Sequence, residues 1–199
     1  MYITDLQYFG TIGYIKSITQ AQEVFFDHQH PYSKMSFKNR MVIATAQGPL
    51  HLSIPLIGGR DQKVPIGNIM VDYSTNWQDH HFKAIVSSYQ RSPFFEFYKA
   101  SLLDVYNSKP ALLVDVLLAT QAWVKKQLKV QWEIVETNPE IAVQRSFDPW
   151  LPKNYHLFPN PVKYNQVFED RTGFLPNLCI LDLLFCCGGK QANQLLMSF

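Results

Sequence analysis

Apolar positions over residues 12–21 recur at helical spacing and predict a short helix, and the bulky run Val24-Phe25-Phe26 that follows predicts a buried strand over 23–27. Residues 41–46 and 50–56 predict two strands joined as a hairpin around Gln47-Gly48-Pro49. Leu50, Leu52, Ile54 and Leu56 fall on one face of the second strand, His51 and Ser53 on the other. A further strand is predicted over 64–71, beyond Gly58-Gly59-Arg60. Helices are predicted over 77–90, capped by Ser74, Thr75 or Asn76, and over 94–106 and 111–128, separated by Lys109-Pro110. Val130, Trp132 and Ile134 alternate as a strand over 130–135. Residues 137–165 hold Pro139, Pro149, Pro152, Pro159 and Pro161 with little periodicity, a loop whose length marks a functional or mobile segment. An apolar stretch over 177–185 predicts a helix that docks at the end of the chain. The sum is α/β or α+β: a strand-rich first half with a hairpin, a helical middle, a proline-rich loop and a docking helix, in a single domain over 1–199.

Composition narrows the class. With 47 % apolar and 17 % charged residues in 199, the chain can bury a sizeable core. A formal net charge of +2, with no block of like charges, gives nucleic-acid binding no support. The runs ALLVDVLLA and LCILDLLFCC are each interrupted by an aspartate (Asp115, Asp182) and are too short to span a bilayer. No basic segment followed by an apolar one opens the chain, so no secretory signal is read and the expected location is the cytoplasm. Cys179, Cys186 and Cys187 are an odd number with no CxxC pair, which fits a reducing compartment.

Candidate chemistry gathers in two places. Residues 24–45, VFFDHQHPYSKMSFKNRMVIAT, crowd polar groups between two apolar runs. His28 sits where a strand ends and can act as a base or acid near neutral pH. Lys34, Lys38 and Arg40 add positive charge, and arginine suits a bidentate grip on phosphate or carboxylate. The plainer reading is a solvated loop with Asn39 and Arg40 bonding backbone at the hairpin. Asp27, His28 and His30 could also hold a metal, but no further ligand stands at a telling spacing. The second place is the stripe Trp77, His81, Ile85 and Tyr89, four residues on one helical face with His80 beside them. It is either an imidazole and a phenol presented to a cleft or a buried stripe whose polar atoms bond backbone. Phosphate-loop, dinucleotide and nucleophile-elbow motifs are absent, so no cofactor is indicated. Cys179, between Leu178 and Ile180, reads as an inert core thiol.

In order along the chain, YFGTIGYIKSI, DHQHPYSKMSFKNRMVIATAQGPLHLSIPL, NWQDHHFKAIVSSYQRSPFFEFY and YNQVFEDRTGFLPNLCILDLLF resemble the WbqC-like proteins. The resemblance is most specific at Asn39-Arg40, at Trp77, His81 and Tyr89 with Ser92 to Phe95, and in the terminal PNL-ILDLLF. It implies a bacterial role in surface polysaccharide, including O-antigen, and carries over His28, Tyr32, Lys34, Asn39, Arg40, His81 and Tyr89 as site residues, with Trp77 beside them. Two departures stand out. Family members begin with a QP-x-F-x-P-x-x-GY pattern where this chain has Gln7-Tyr8, which puts a role for the N-terminal loop in doubt. They follow LLF with Asn and then Gly-Pro where this chain has Cys186-Cys187-Gly188-Gly189, which argues against a job for the extreme C-terminus. The N-terminal pattern of fuller family members also resembles nucleotidylyltransferases, but the matching turn here, Gly10-Thr11-Ile12-Gly13-Tyr14, lacks their histidines, which disfavours nucleotidyl transfer by that route.

The resemblance and the two constellations lead to an enzyme transferring a group onto an activated, anionic sugar. Lys34 and Arg40 would hold the anion, Tyr32 and Asn39 the sugar hydroxyls, and His28 or His81 would move a proton, with Tyr89 near the reacting centre. The competing reading is a non-catalytic partner of a glycosyltransferase or polysaccharide-assembly complex, using Trp150 and Tyr155 as exposed aromatics. A metal-dependent hydrolase built on Asp27, His28 and His30 is a third.

Overall fold

The computed structural model describes residues 2–3, 5–21, 23–26, 31–59, 61–136 and 151–198. Along them run β1 (Tyr2–Ile3), α1 (Ile12–Gln20), β2 (Glu23–Phe26), β3 (Arg40–Thr45), β4 (Gly48–Ser53), α2 (Trp77–Tyr89), α3 (Phe95–Asn107), α4 (Leu113–Leu128), β5 (Glu133–Glu136), the single turn α5 (Glu169–Thr172) and α6 (Ile180–Met197). The architecture is mixed α/β and compact. β1, β2 and β5 form a parallel sheet in that order, with Val24 opposite Ile134. β3 and β4 make a separate antiparallel hairpin, with Arg40 opposite Ser53 and Val42 opposite His51.

Local chemistry explains where the elements begin and end. Thr11 caps α1, its Oγ1 accepting from Tyr14 N at 3.2 Å, and Ile12, Ile15 and Ile18 then bury one stripe. α4 ends at Lys129, in the left-handed region at φ 54°, with Lys125 and Lys126 in the last turn facing the negative end of the helix dipole. β3 is buried on both sides. Met41 and Ile43 join the main core, while Val42 and Ala44 pack with Phe37, Tyr155 and Leu178 in a smaller cluster. The hairpin is therefore a partition between two apolar bodies.

Several details differ from the pattern reading. The hairpin turns at Ala46-Gln47, one step early, because Gly48 opens β4 opposite Thr45 and Thr45 Oγ1 donates to the Gly48 carbonyl at 2.8 Å. Leu50, opposite the buried Ile43, is itself exposed. Residues 64–71 form no strand. Pro65 lacks an N–H, and the buried Ile66 and Ile69 are spaced for the 3₁₀ turn Ile66–Asn68, with only isolated bridges from Pro65 to Pro31, from Val71 to Leu56 and from Met70 to Leu112. Val130 and Trp132 are buried but precede β5, and residues 151–165 hold no element longer than the 3₁₀ turn Tyr155–Leu157.

The C-terminus has a packing job. α6 breaks at Gly188 (φ 73°), where a Cβ would lie 2.8 Å from the Phe94 ring, and a Cβ on Gly189 would lie 2.1 Å from the Gln127 carbonyl oxygen. Gly189 N donates to Tyr98 Oη at 2.7 Å, and beyond the break Ala192 and Leu196 are fully buried. The Gly188-Gly189 pair lets the second half of α6 close onto α3 and α4. Among the described residues no helix is long and apolar enough to cross a membrane.

Candidate functional site

The hairpin face that turns Val42 and Ala44 to the smaller cluster also gathers the first group, at its edge. Arg40 and Ser53 are paired across the strands, and the half-buried Arg40 donates from Nε to Ser53 Oγ at 3.0 Å. Its terminal amino groups have no other hydrogen bond among the described residues. Two positions along β4 on the same face, His51 lies against the edge of Tyr155, ring centroids 5.9 Å apart. Burial and then the Arg40 charge lower the His51 pKa, so that imidazole is neutral at pH 7. At the mouth of the hairpin Tyr32 donates from Oη to Asn39 Oδ1 at 3.0 Å, and Asn39 Nδ2 donates to the Ile54 carbonyl at 2.9 Å. Lys34 stands in an exposed ion pair with Asp61 at 2.6 Å. Lys38 turns inward, buried, to Asp5 at 3.1 Å. His28, with Asp27 and His30, lies outside the described residues, as does Trp150. Tyr155 is buried rather than exposed, held in the smaller cluster.

The stripe on α2 is buried throughout, the plainer of its two readings. His81 is 4 % exposed and packs edge-on to Trp77 at 5.1 Å. Its Nδ1 meets Tyr8 Oη at 3.1 Å, Tyr8 Oη meets Tyr106 Oη at 2.8 Å, and the Ser53 backbone lies beside the ring. Desolvation lowers the His81 pKa to about 4, which keeps the ring neutral. The N-terminal loop therefore has a definite role, since Tyr8, one of the residues departing from the family pattern, holds this imidazole.

Tyr89, one helical turn further than Ile85, serves the interior. Its Oη accepts from Ala44 N at 3.0 Å and donates to Asp182 Oδ2 at 2.7 Å. Tyr164 donates to Asp182 Oδ1 at 2.7 Å and accepts from Gln166 Nε2 at 3.1 Å. Burial pushes the Asp182 carboxyl up to about 6 against the pull of both phenols, and pushes Tyr89 well above the usual phenol value. Asp182 was visible in the sequence as the lone charge inside LCILDLLF, but its partners Tyr89 and Tyr164 are too distant in the chain to be read as its ligands. Cys179 is fully buried with its thiol pushed up to about 12, an inert core group.

The two constellations touch at one residue. Ser53 holds Arg40 through its hydroxyl and lies beside His81 with its backbone, so Tyr32, Asn39, Arg40 and His81 share one stretch of β4. Tyr89 is not brought to Arg40. His51 is the group the sequence reading missed, and its signal was the hairpin register itself, which sets it beside Arg40 and Ser53. Among the described residues no group of three histidine, cysteine or carboxylate side chains could hold a metal ion.

The model of the WbqC-like protein family matches residues 7–151. No curated protein and no solved structure matches significantly. That match spans well over half of the chain, and the chain belongs to the WbqC-like protein family.

Proposed function

We propose that this WbqC-like protein works as a single cytoplasmic domain in the assembly of bacterial surface polysaccharide, of the O-antigen type, and transfers a group onto an activated, anionic sugar. The observation that carries the reading is Arg40: its Nε is fixed by Ser53, and its terminal donors are left for a phosphate or carboxylate at the hairpin face. Lys34 adds charge from an exposed pair that a ligand can displace at little cost. Tyr32 is buried and holds Asn39 from within, and the half-buried Asn39 is the amide that turns to sugar hydroxyls at the mouth of the hairpin. His28 is the proton carrier in this reading. His81 and Tyr89, buried and already bonded, are positioning residues, the first for the Ser53 end of β4 and the second for β3.

Arg40→Ala and Lys34→Ala variants, returned to cells lacking the wild-type gene, test the assignment. Loss of surface polysaccharide with Arg40→Ala, at unchanged protein level and melting temperature, is the expected outcome. Full production by a normally folded Arg40→Ala protein refutes it.

A second reading, a non-catalytic partner of a glycosyltransferase or assembly complex, draws on a different surface. Phe97 is 77 % exposed in a groove with Phe94 and Met197, rimmed by Lys126, Lys129 and Lys190. A stoichiometric partner lost on Phe97→Ser but retained on Arg40→Ala would favour it.

A further inference from the structure

A cleft of about 500 Å³ opens between the turn after α2, the segment leading into α5, and α6. That volume is within the range of small-molecule sites, about 300–1,000 Å³. Its floor is rigid. The Gln166 amide is fully used, donating to Tyr164 Oη at 3.1 Å and to the Leu175 carbonyl at 2.8 Å and accepting from Leu175 N at 2.7 Å. Ser92 donates its hydroxyl to the Tyr89 carbonyl at 2.7 Å and keeps its lone pairs for the cleft.

The walls are different in kind. Arg91 and Arg171, from separate elements, both line the cleft, and neither side chain has a hydrogen-bond or ion-pair partner among the described residues. Asp170 does not neutralise Arg171, because adjacent residues on a helical turn point apart. Two guanidiniums lining one cleft suit an anion of more than one charge, and a phosphate monoester carries about −1.5 to −2 at pH 7. Asp170 and Asn165, also lining the cleft without side-chain partners, supply an acceptor and an amide for hydroxyl groups. Phe168 and Pro93 add apolar faces of the sort that the C–H side of a sugar ring covers.

We propose that this cleft binds a sugar phosphate, with Arg91 and Arg171 on the phosphoryl group and Asp170 and Asn165 on the sugar hydroxyls. The site shares no residue with the hairpin face around Arg40 and goes beyond the function proposed for it. The carboxylate is what separates a sugar phosphate from a bare anion, since Asp170 accepts from a sugar hydroxyl that free phosphate does not carry.

Calorimetric titration with glucose 1-phosphate and with inorganic phosphate tests it, at low ionic strength where the arginine contacts are unscreened. Glucose 1-phosphate should bind at least fivefold more tightly than phosphate. Arg91→Gln and Arg171→Gln should each weaken it tenfold or more. Asp170→Asn should narrow the gap between the two probes, and Arg40→Ala should leave the affinity unchanged. Both arginines are exposed and without a partner among the described residues, so their variants fold, and Lys126→Gln serves as a charge control. Failure of glucose 1-phosphate to bind at millimolar concentration overturns the proposal. So does wild-type affinity in the Arg91→Gln, Arg171→Gln double variant. Binding lost only with Arg40→Ala also overturns it, while leaving the hairpin reading in place.

Discussion

Replacing Asp182 with asparagine should uncover a pH dependence of stability that the wild-type protein conceals. Asp182 is fully buried and its carboxyl is carried from 3.8 to about 6. Between those values the folded protein holds a proton that the unfolded chain has released, so stability falls as pH rises through the window. At about 1.4 kcal/mol for each pH unit the loss amounts to ~3 kcal/mol. His81 acts in the opposite sense. Its pKa is lowered from 6.5 to about 4, so in that window the unfolded chain takes a proton the folded protein refuses, and stability falls as pH drops. That loss is also ~3 kcal/mol. The two contributions overlap between about pH 4 and 6 and nearly cancel.

In Asp182→Asn one phenol still donates to the side-chain carbonyl and the other turns to accept from the amide, so the packing survives. The His81 slope, with that of His51 in the same sense, is then left unopposed by Asp182. Urea unfolding at about pH 4, 5, 6 and 7 should show the variant gaining stability relative to wild type as pH rises, by ~3 kcal/mol in total. His81→Gln should do the reverse, leaving the Asp182 slope, so that the protein becomes more stable on acidification toward about pH 4. A difference between Asp182→Asn and wild type that stays constant across the range would refute the reasoning, because it would mean that Asp182 has the same proton affinity folded and unfolded.

Three further outcomes follow from geometry. Gly189→Ala drives a Cβ to within 2.1 Å of a backbone carbonyl that has no rotamer to escape into. It should cost about 1–3 kcal/mol or more in thermal unfolding, against a negligible change for its exposed neighbour in Lys190→Ala, and equal melting of the two would show that the α6 break is not packed against α4. Lys34→Ala breaks only an exposed pair with Asp61 and should change stability by less than about 1 kcal/mol in denaturant titration, so any loss of function reports a ligand contact rather than folding. Tyr8→Phe strips the partner from His81 Nδ1 and from Tyr106 Oη together, and should cost about 1–3 kcal/mol at pH 7; a variant as stable as wild type would refute the buried chain of hydrogen bonds.

Periodicity carried the helices because each buries one stripe at a spacing the chain itself sets: Ile12, Ile15 and Ile18 in α1, and Trp77, His81, Ile85 and Tyr89 in α2. It failed at residues 64–71, where β-branched residues suggested a strand and Pro65 with the three-residue spacing of Ile66 and Ile69 selected a 3₁₀ turn instead. The hairpin was legible but its exposed side was not. Leu50 does share a face with Leu52, opposite Ile43 and Met41, but cover for that face comes from residues far away in the chain, so alternation within β4 did not decide whether Leu50 would be buried. The same limit hid the partners of Asp182 and the role of Tyr8, since both depend on contacts between segments separated by tens of residues.

Depth is what divides the candidate residues. A side chain that is buried and has both its donor and its acceptor satisfied meets no substrate unless the fold opens, and its removal leaves unpaired polar groups that cost stability first. His81 and Tyr89 are of this kind, and both stand against the strands that carry the exposed chemistry: His81 beside the Ser53 backbone, Tyr89 bonded to Ala44 N. Arg40 is of the other kind, fixed at one nitrogen and, among the described residues, unbonded at the rest. A phenotype in His81→Ala or Tyr89→Ala therefore reports whether β3 and β4 stand in register, and it should be mirrored by a fall in melting temperature. A phenotype in Arg40→Ala should come with no such fall. The Arg40 variant is thus the one whose defect speaks about a ligand, and a temperature-sensitive defect there would move Arg40 into the structural group with His81.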